Sequence, residues 1–175
     1  MRVIVGLAGR RGCGKSTIGR RLEQEHGFAF VSFGDVVRRE AVARSLPIDT
    51  PALQTLGRRL IDEWGWERFC RAVLAGASVP DKVVIEGIRH RLAVEALRGL
   101  LAPDHFRLVF IQIAEQQRLV RLRLRGRPGD SDAGTDSDSI EQEVDSLRGL
   151  AEFEVSGEDE CAADLVAKWS VQTGS

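Results

Sequence analysis

The sequence predicts a three-layer α/β fold, in which helices cover both faces of a five-stranded parallel sheet. Two observations lead to this prediction. Short apolar runs rich in β-branched residues alternate with segments of helical periodicity, as expected for a parallel sheet that is buried on both faces. The first apolar run, Val3–Ala8, also leads through a glycine-rich loop into a helical segment, residues 16–25.

The glycine-rich loop, residues 9–17, completes the pattern G-x-x-x-x-G-K-[ST] between a strand and a helix. Its glycines allow successive backbone N–H groups to point into one concavity, where a helix N-terminus adds partial positive charge. Lys15 is expected to reach the β- and γ-phosphates of ATP, and Ser16 to bind Mg²⁺. The loop thus predicts a P-loop NTPase fold. Its predicted nucleotide-binding residues are Gly9, Gly12, Cys13, Gly14, Lys15, Ser16 and Thr17.

Four further apolar runs are predicted to complete the sheet: residues 28–32, 81–86, 106–113 and 163–167. Between the second and third strands, residues 34–78 are predicted to form a helical insert, broken by Pro47 and Pro51. Residues 125–139 are polar and contain glycines, which is typical of either a functional lid or a disordered surface loop. A helix near residues 140–150 is expected to follow.

Length and composition favour one soluble domain, residues 1–175. A hydrophobic content of 43% suffices for one core, and a net charge of −1 makes a nucleic acid partner unlikely. The three cysteines are far apart and fit a reducing cytosol better than a disulfide framework or a zinc site. With neither a signal peptide nor a membrane-length apolar run, we expect a cytoplasmic protein, as a monomer or homodimer.

Polar side chains follow the second and third predicted strands. Because ligands bind outside the carboxyl ends of strands in an open α/β sheet, both clusters are expected beside the phosphate loop. Glu86 is suited to holding Mg²⁺ through water, and Arg38 and Arg89 to gripping an acceptor phosphate. Ordinary surface positions are the alternative for these three residues. Asp35 is either a general base for a hydroxyl acceptor or the cap of the following helix.

Arginines are concentrated on the helix that follows the fourth predicted strand. Arg118, Arg121 and Arg125 are three or four residues apart and share one helical face, and Arg127 follows. Preorganised arginines stabilise the negative charge that spreads over a phosphoryl group during its transfer. A solvated cationic face is the alternative interpretation.

Through these stretches, nearly the whole chain resembles the nucleoside monophosphate kinase-like group of P-loop kinases. Residues 32–38 (S-x-G-D-x-x-R) are similar to the acceptor segment of adenylate kinases. Residues 86–89 are similar to an acid-glycine-arginine stretch of these kinases. Arg121 and Arg125 are similar to the two arginines at the hinge of their lid. The likeness is greatest to an uncharacterised group of small, mostly archaeal kinases related to dephospho-coenzyme A kinases. It implies the strand order 2-3-1-4-5, a helical acceptor-binding insert and a short lid.

The resemblance also implies residue roles. Trp169 falls where such kinases place adenine, and the arginines implied to close on the transferring group are Arg121, Arg125 and Arg127. Arg10 and Arg11 depart from the small residues usual in adenylate kinases. We expect no helix of useful length after the last strand, so the base pocket is expected to be formed differently.

The leading functional prediction is a kinase that moves the ATP γ-phosphoryl group to the phosphate of a nucleotide-like acceptor. One alternative is transfer to a hydroxyl group, as in dephospho-coenzyme A kinases or sugar kinases, with Asp35 as catalytic base. Another alternative is a non-catalytic ATP-binding switch. Asp35, Arg38 and Arg89 are the candidate acceptor-binding residues in the kinase interpretations.

Overall fold

The computed structural model describes residues 2–77, 81–101, 106–125 and 135–172 of the 175-residue chain. The strands are β1 Val3–Ala8, β2 Ala29–Ser32, β3 Lys82–Glu86, β4 Phe106–Gln112 and β5 Phe153–Ser156. The α-helices are α1 Lys15–His26, α2 Phe33–Ala43, α3 Thr50–Leu74, α4 Arg91–Leu100, α5 Glu115–Arg125, α6 Thr135–Ser146 and α7 Ala162–Gln172. A short 3₁₀ helix, Leu147–Leu150, follows α6.

The strands form one parallel sheet in the order β2-β3-β1-β4-β5. This arrangement confirms the predicted α/β fold and strand order. All carboxyl ends therefore lie along one edge, which brings together the segments that follow Ala8, Ser32, Glu86 and Gln112.

Both faces of the central strand β1 are buried. Ile4 and Ala8 belong to a core formed with α2, α3 and α4, whereas Val5 and Leu7 belong to a core formed with α1 and α7. Successive side chains of a strand point to opposite faces, so β1 separates the two helical layers. The phosphate loop therefore begins at the centre of the sheet, directly after a fully buried strand.

The prediction of the fifth strand at residues 163–167 was wrong. This segment belongs to α7, where Ala163, Val166 and Ala167 are buried while Leu165 is 42% exposed, a helical spacing of apolar positions. The fifth strand is β5 instead, a short edge strand in which only Val155 is fully buried. The expectation that no helix follows the last strand was also wrong, because α7 packs on α1 there.

The predicted helical insert, residues 34–78, contains most of α2 and all of α3. Gly65 interrupts α3 with a φ of 69° and a ψ of 168°, and Trp64 and Trp66 on either side both contact the ring of Phe69. Most of the predicted lid, residues 125–139, lies outside the described residues, although α6 begins within it. In the described part of the chain, no helix combines the length and apolar character that crossing a membrane requires.

Candidate active site

The phosphate loop connects β1 to α1 and depends on three glycines with positive φ. Gly9, Gly12 and Gly14 have φ angles of 143°, 84° and 104°, which residues with a β-carbon rarely adopt. A β-carbon at Gly9 would also lie 2.4 Å from the carbonyl oxygen of Ile111 on the neighbouring strand. The pattern of glycines in the sequence therefore has a direct geometric cause.

The side chain of Lys15 folds back over this loop and is only 6% exposed. Its Nζ donates hydrogen bonds to the carbonyl oxygens of Gly9 at 2.6 Å and Arg10 at 2.8 Å, and lies 3.6 Å from Cys13 Sγ. Buried ammonium groups require such partners because loss of water is costly. These bonds place a fixed positive charge beside the loop backbone, as phosphate binding requires.

Ser16 and Glu86 meet at the carboxyl end of β3. The Ser16 hydroxyl donates to Glu86 Oε1 at 3.1 Å, although the two residues are far apart in the chain. A hydroxyl and a carboxylate are hard oxygen ligands of the kind that Mg²⁺ prefers, directly or through water. The donor set of these residues therefore fits the predicted Mg²⁺ site.

Ser32, rather than Asp35, caps α2. The Ser32 side-chain oxygen accepts a hydrogen bond from the Asp35 backbone N–H at 3.0 Å, which corrects the proposed capping role of the Asp35 carboxylate. The carboxylate instead accepts from Arg38 Nη1 at 3.1 Å, and both side chains are about half exposed (50% and 56%). Asp35 and Arg38 thus present opposite charges to solvent beside the end of β2.

Arg89 lies on the segment between β3 and α4, three residues after Glu86. It is half-buried and makes polar interactions of its own. Gly87, which precedes it by two residues, has a φ of 92° and approaches the Phe33 side chain closely enough that a β-carbon would lie 3.5 Å away. This turn places Arg89 on the same edge of the sheet as Asp35 and Arg38.

The arginines of α5 reach the phosphate loop from the other side. Arg121 Nη2 donates to the carbonyl oxygen of Gly157 at 3.0 Å, and its Nη1 would lie 3.3 Å from a β-carbon at Gly14. Arg118 donates to the Arg11 carbonyl oxygen at 3.1 Å and pairs with Glu115, a hydrogen bond that raises the pKa of Arg118. The Arg125 side chain and the whole of Arg127 lie outside the described residues.

Gly157, which the sequence analysis did not identify, packs against the backbone of the phosphate loop at Cys13. It follows β5 and donates its N–H to the Gln112 carbonyl oxygen at 2.7 Å. A β-carbon at this position would lie 1.8 Å from the carbonyl oxygen of Cys13, so backbone packs directly on backbone. A lone glycine after an unrecognised strand carries no pattern that would have revealed this contact.

Carboxylates of α6 also contact the phosphate loop, a contact that no local sequence pattern indicates. Arg10 forms a bidentate pair with Asp145, in which Nε lies 2.9 Å from Oδ1 and Nη2 contacts Oδ2. This hydrogen bond is the main cause that raises the pKa of Arg10, so its charge is permanent. The backbone N–H of Arg11 donates to Glu141 at 3.4 Å from each carboxylate oxygen.

Trp169 does not join this group. Its ring stacks on Phe153 at a centroid distance of 4.8 Å and lies 5.6 Å from the Arg107 guanidinium. Arg107 and Phe153 lie near the amino ends of β4 and β5. Trp169 therefore packs toward the amino ends of the strands, whereas the phosphate loop lies at their carboxyl ends. The structure therefore does not bring Trp169 to the position that the sequence resemblance implies.

One other group of possible metal ligands, Glu25, His26 and Asp164, has its ligand atoms within 4.8 Å of one another at the far end of α1. Arg21 already binds both oxygens of Glu25, and the His26 ring bonds Asp164 at 2.9 Å. Within the described residues, Ser16 and Glu86 remain the pair best suited to Mg²⁺ beside a nucleotide.

Comparison with known sequences relates most of the chain to one family. A family profile described as an AAA domain (AAA_18) matches residues 5–144. A UPF0200 protein of Methanothrix thermoacetophila is 34% identical over 139 residues, which cover 79% of this chain and 75% of the relative. A UPF0200 protein of Thermococcus kodakarensis is 34% identical over 135 residues, covering 73% of this chain and 71% of the relative.

Solved structures share the fold at low sequence identity. Shikimate kinase from Aquifex aeolicus gives a TM-score of 0.55 at 19% identity, covering 98% of this chain and 95% of that structure. A gluconokinase from Sinorhizobium meliloti gives a TM-score of 0.58 at 16% identity, covering 99% of this chain and 93% of that structure. At these identities the similarity concerns the arrangement of the elements.

Proposed function

Since this chain belongs to the UPF0200 family of AAA-domain, P-loop kinase-like proteins, we propose that it is an ATP-dependent kinase that phosphorylates a small molecule. The observation that carries the proposal is the convergence of three groups on the phosphate loop. Lys15 lies over the loop, Ser16 meets Glu86 beside it, and Arg121 approaches Gly14 from α5. Phosphoryl transfer needs positioned positive charge more than covalent catalysis, and these groups supply it.

Each group has a defined part in this proposal. The loop N–H groups and Lys15 would hold the β- and γ-phosphates, while Ser16 and Glu86 would hold Mg²⁺. When bound, Mg²⁺ would neutralise charge that develops on the phosphate oxygens. Arg121, which now bonds the Gly157 carbonyl oxygen, has further N–H groups with which to stabilise the transferring phosphoryl group. Arg125 and Arg127 are proposed to complete this set from the lid.

For the acceptor, we favour a phosphate group on a nucleotide-like molecule. Arg38 and Arg89 lie beside the ends of β2 and β3, on the same edge as the phosphate loop. Guanidinium groups bind phosphate oxygens through paired hydrogen bonds, and an acceptor phosphate is already a nucleophile at neutral pH. In this version of the reaction no general base is required.

A second candidate, transfer to a hydroxyl group, is favoured by the exposed Asp35 carboxylate. One of its oxygens accepts from Arg38, and a carboxylate has further acceptor capacity for the hydrogen of a substrate hydroxyl. The shikimate kinase and gluconokinase that share this fold are kinases with small-molecule acceptors by name, which supports a small acceptor here. Asp35 would then be catalytic, and Arg38 would orient it.

The test is ATP consumption with Mg²⁺ against a panel of nucleoside monophosphates, nucleosides, dephospho-coenzyme A and phosphosugars. Lys15→Ala should reduce stimulated turnover by about 10²-fold or more, because it removes the positive charge that is proposed to hold the β- and γ-phosphates. Lys168→Ala is the matched control, since Lys168 is an exposed lysine of α7. Slow hydrolysis that no acceptor stimulates would contradict the kinase proposal and favour an ATP-binding switch.

A further inference from the structure

The helix α6 presents carboxylates to the phosphate loop and to the segment that follows β3. Its sequence, T-D-S-D-S-I-E-Q-E-V-D-S, contains five acidic residues and no lysine or arginine. Three of these carboxylates belong to the described side chains, and they alternate along the last two turns: Glu141, Glu143 and Asp145. Each of them contacts a different group at the carboxyl edge of the sheet.

Two of the three carboxylates anchor the helix. Asp145 forms the bidentate pair with Arg10 at the start of the phosphate loop. Glu143 accepts from the His90 ring at 2.8 Å and from the Arg91 backbone N–H at 3.2 Å, so it serves as the side-chain cap that His90 itself does not provide for α4. The helix is therefore fixed at the phosphate loop and at the segment after β3.

The third carboxylate, Glu141, is held by these anchors against the loop backbone. Both of its oxygens lie 3.4 Å from the Arg11 backbone nitrogen, and Arg11 stands inside the glycine-rich pattern itself. In a phosphate loop, backbone N–H groups donate hydrogen bonds to the phosphate oxygens of the nucleotide. Glu141 therefore places a negative charge directly beside the backbone that is proposed to bind the phosphates of a nucleotide.

We propose that Glu141 is a built-in anion that competes with the polyphosphate chain of the nucleotide for the phosphate loop. This inference rests on the proposed nucleotide-binding function. Glu141 and an incoming phosphate repel each other at short range, so the carboxylate must move away from the loop, or ATP must bind against its repulsion. Because Asp145 and Glu143 keep α6 anchored, the carboxylate returns when the nucleotide leaves. Glu141 thereby weakens nucleotide binding and favours release of the spent nucleotide.

The test compares binding of MgATP, tripolyphosphate and adenosine to the wild-type chain and to Glu141→Gln by titration calorimetry. Removing the competing charge should tighten MgATP and tripolyphosphate binding by roughly tenfold, the effect of one charged hydrogen bond. Adenosine carries no phosphate, so its binding should not change. Glu25→Gln is the matched control, because it removes the same charge from an exposed position at the far end of α1.

The outcomes separate this inference from the proposed function. Binding of MgATP that is equal or weaker in Glu141→Gln, with the wild type binding normally, would overturn the competition. Failure of the wild type to bind any polyphosphate better than Lys15→Ala would instead contradict the nucleotide-binding function itself. Glu141→Ala provides a second variant if the glutamine variant unfolds, and the same tightening is expected of it.

Discussion

The contact between Gly157 and Cys13 shows how strictly single residues shape the phosphate loop. The two backbones pack so closely that a β-carbon on Gly157 would overlap the Cys13 carbonyl oxygen. Gly157 also bonds Gln112 and accepts from Arg121, so one glycine connects the loop, β4 and α5. A change at this residue should therefore disturb the nucleotide site without altering any charged group.

Gly157→Ala is expected to destabilise the protein by about 1–3 kcal/mol, since the added methyl group must push backbone away from backbone. It should also weaken MgATP binding, because the loop carries the displaced carbonyl group of Cys13. Urea unfolding and calorimetric titration measure the two effects. Gly99→Ala in α4 is the control, because its β-carbon meets nothing within 4 Å, and alanine there should stabilise by roughly 0.5–1 kcal/mol.

Asp35→Asn separates the two candidate acceptor chemistries. With a hydroxyl acceptor, turnover should fall by about 10²-fold or more because a general base is lost, whereas a phosphate acceptor should be turned over at nearly the wild-type rate. Steady-state kinetics with the acceptor found in the panel gives the answer. Asp62→Asn, at an exposed position of α3, controls for loss of charge. A small loss of turnover with a proven hydroxyl acceptor would exclude Asp35 as the base.

At the site, the sequence identified those residues whose chemistry follows a local pattern. Lys15 and Ser16 were found from the spacing of the loop, and Glu86 from its place at the end of a strand; the structure brings all three together. Gly157 and Glu141 were missed because their roles arise from contacts between segments far apart in sequence. Such contacts leave no trace in local periodicity.

Among the elements, α3 depends most clearly on one backbone conformation. Gly65 has dihedral angles of 69° and 168°, a combination that is essentially restricted to glycine, while nothing lies within 4 Å of its would-be β-carbon. The cost of substitution there is therefore conformational and not steric. The kink also sets the directions of Trp64 and Trp66 on the two halves of α3.

Gly65→Ala should destabilise the protein by about 1–3 kcal/mol, because alanine must adopt a conformation that its β-carbon disfavours or straighten the helix. Chemical denaturation gives the change in unfolding free energy. Gly149→Ala is a suitable comparison, since Gly149 also has open space around it but no positive φ. Equal stability of the two variants would mean that α3 accommodates a straight helix at no cost.

The elements near the C-terminus were the least predictable from sequence. Residues 163–167 are apolar enough for a strand, but their burial follows a period of three to four and belongs to α7. The true edge strand β5 has only four residues and one fully buried side chain, so its periodicity is too short to recognise. The other four strands were predicted correctly to within one or two residues, including the equally short β2, in which three of the four residues are buried.

On the scale of the whole molecule, the two cores leave one cysteine accessible. Cys13 and Cys70 are buried, and burial raises the pKa of the Cys70 thiol to about 12, so it stays protonated and unreactive. Cys161 is exposed at the start of α7. Reaction of the native protein with a chromogenic disulfide reagent is expected to modify one thiol, and all three after denaturation.

Cys161→Ser should abolish the reaction of the native protein and leave two thiols that react in denaturant. Rapid labelling of a second thiol in the native variant would contradict the burial of Cys13 or Cys70. In Gly157→Ala, Cys13 should react faster with the reagent than in the wild type, because the displaced loop would expose its thiol.

The central position of β1 has a consequence for the order in which the protein matures during synthesis. The first described strand to leave the ribosome pairs with β3 and β4, for example Ile4 with Val83 and with Phe106. Contacts between such distant segments form late, after the entropy of closing long loops has been overcome. A nascent chain that ends before β4 therefore contains the full glycine-rich pattern and still lacks the support that would let it hold a nucleotide.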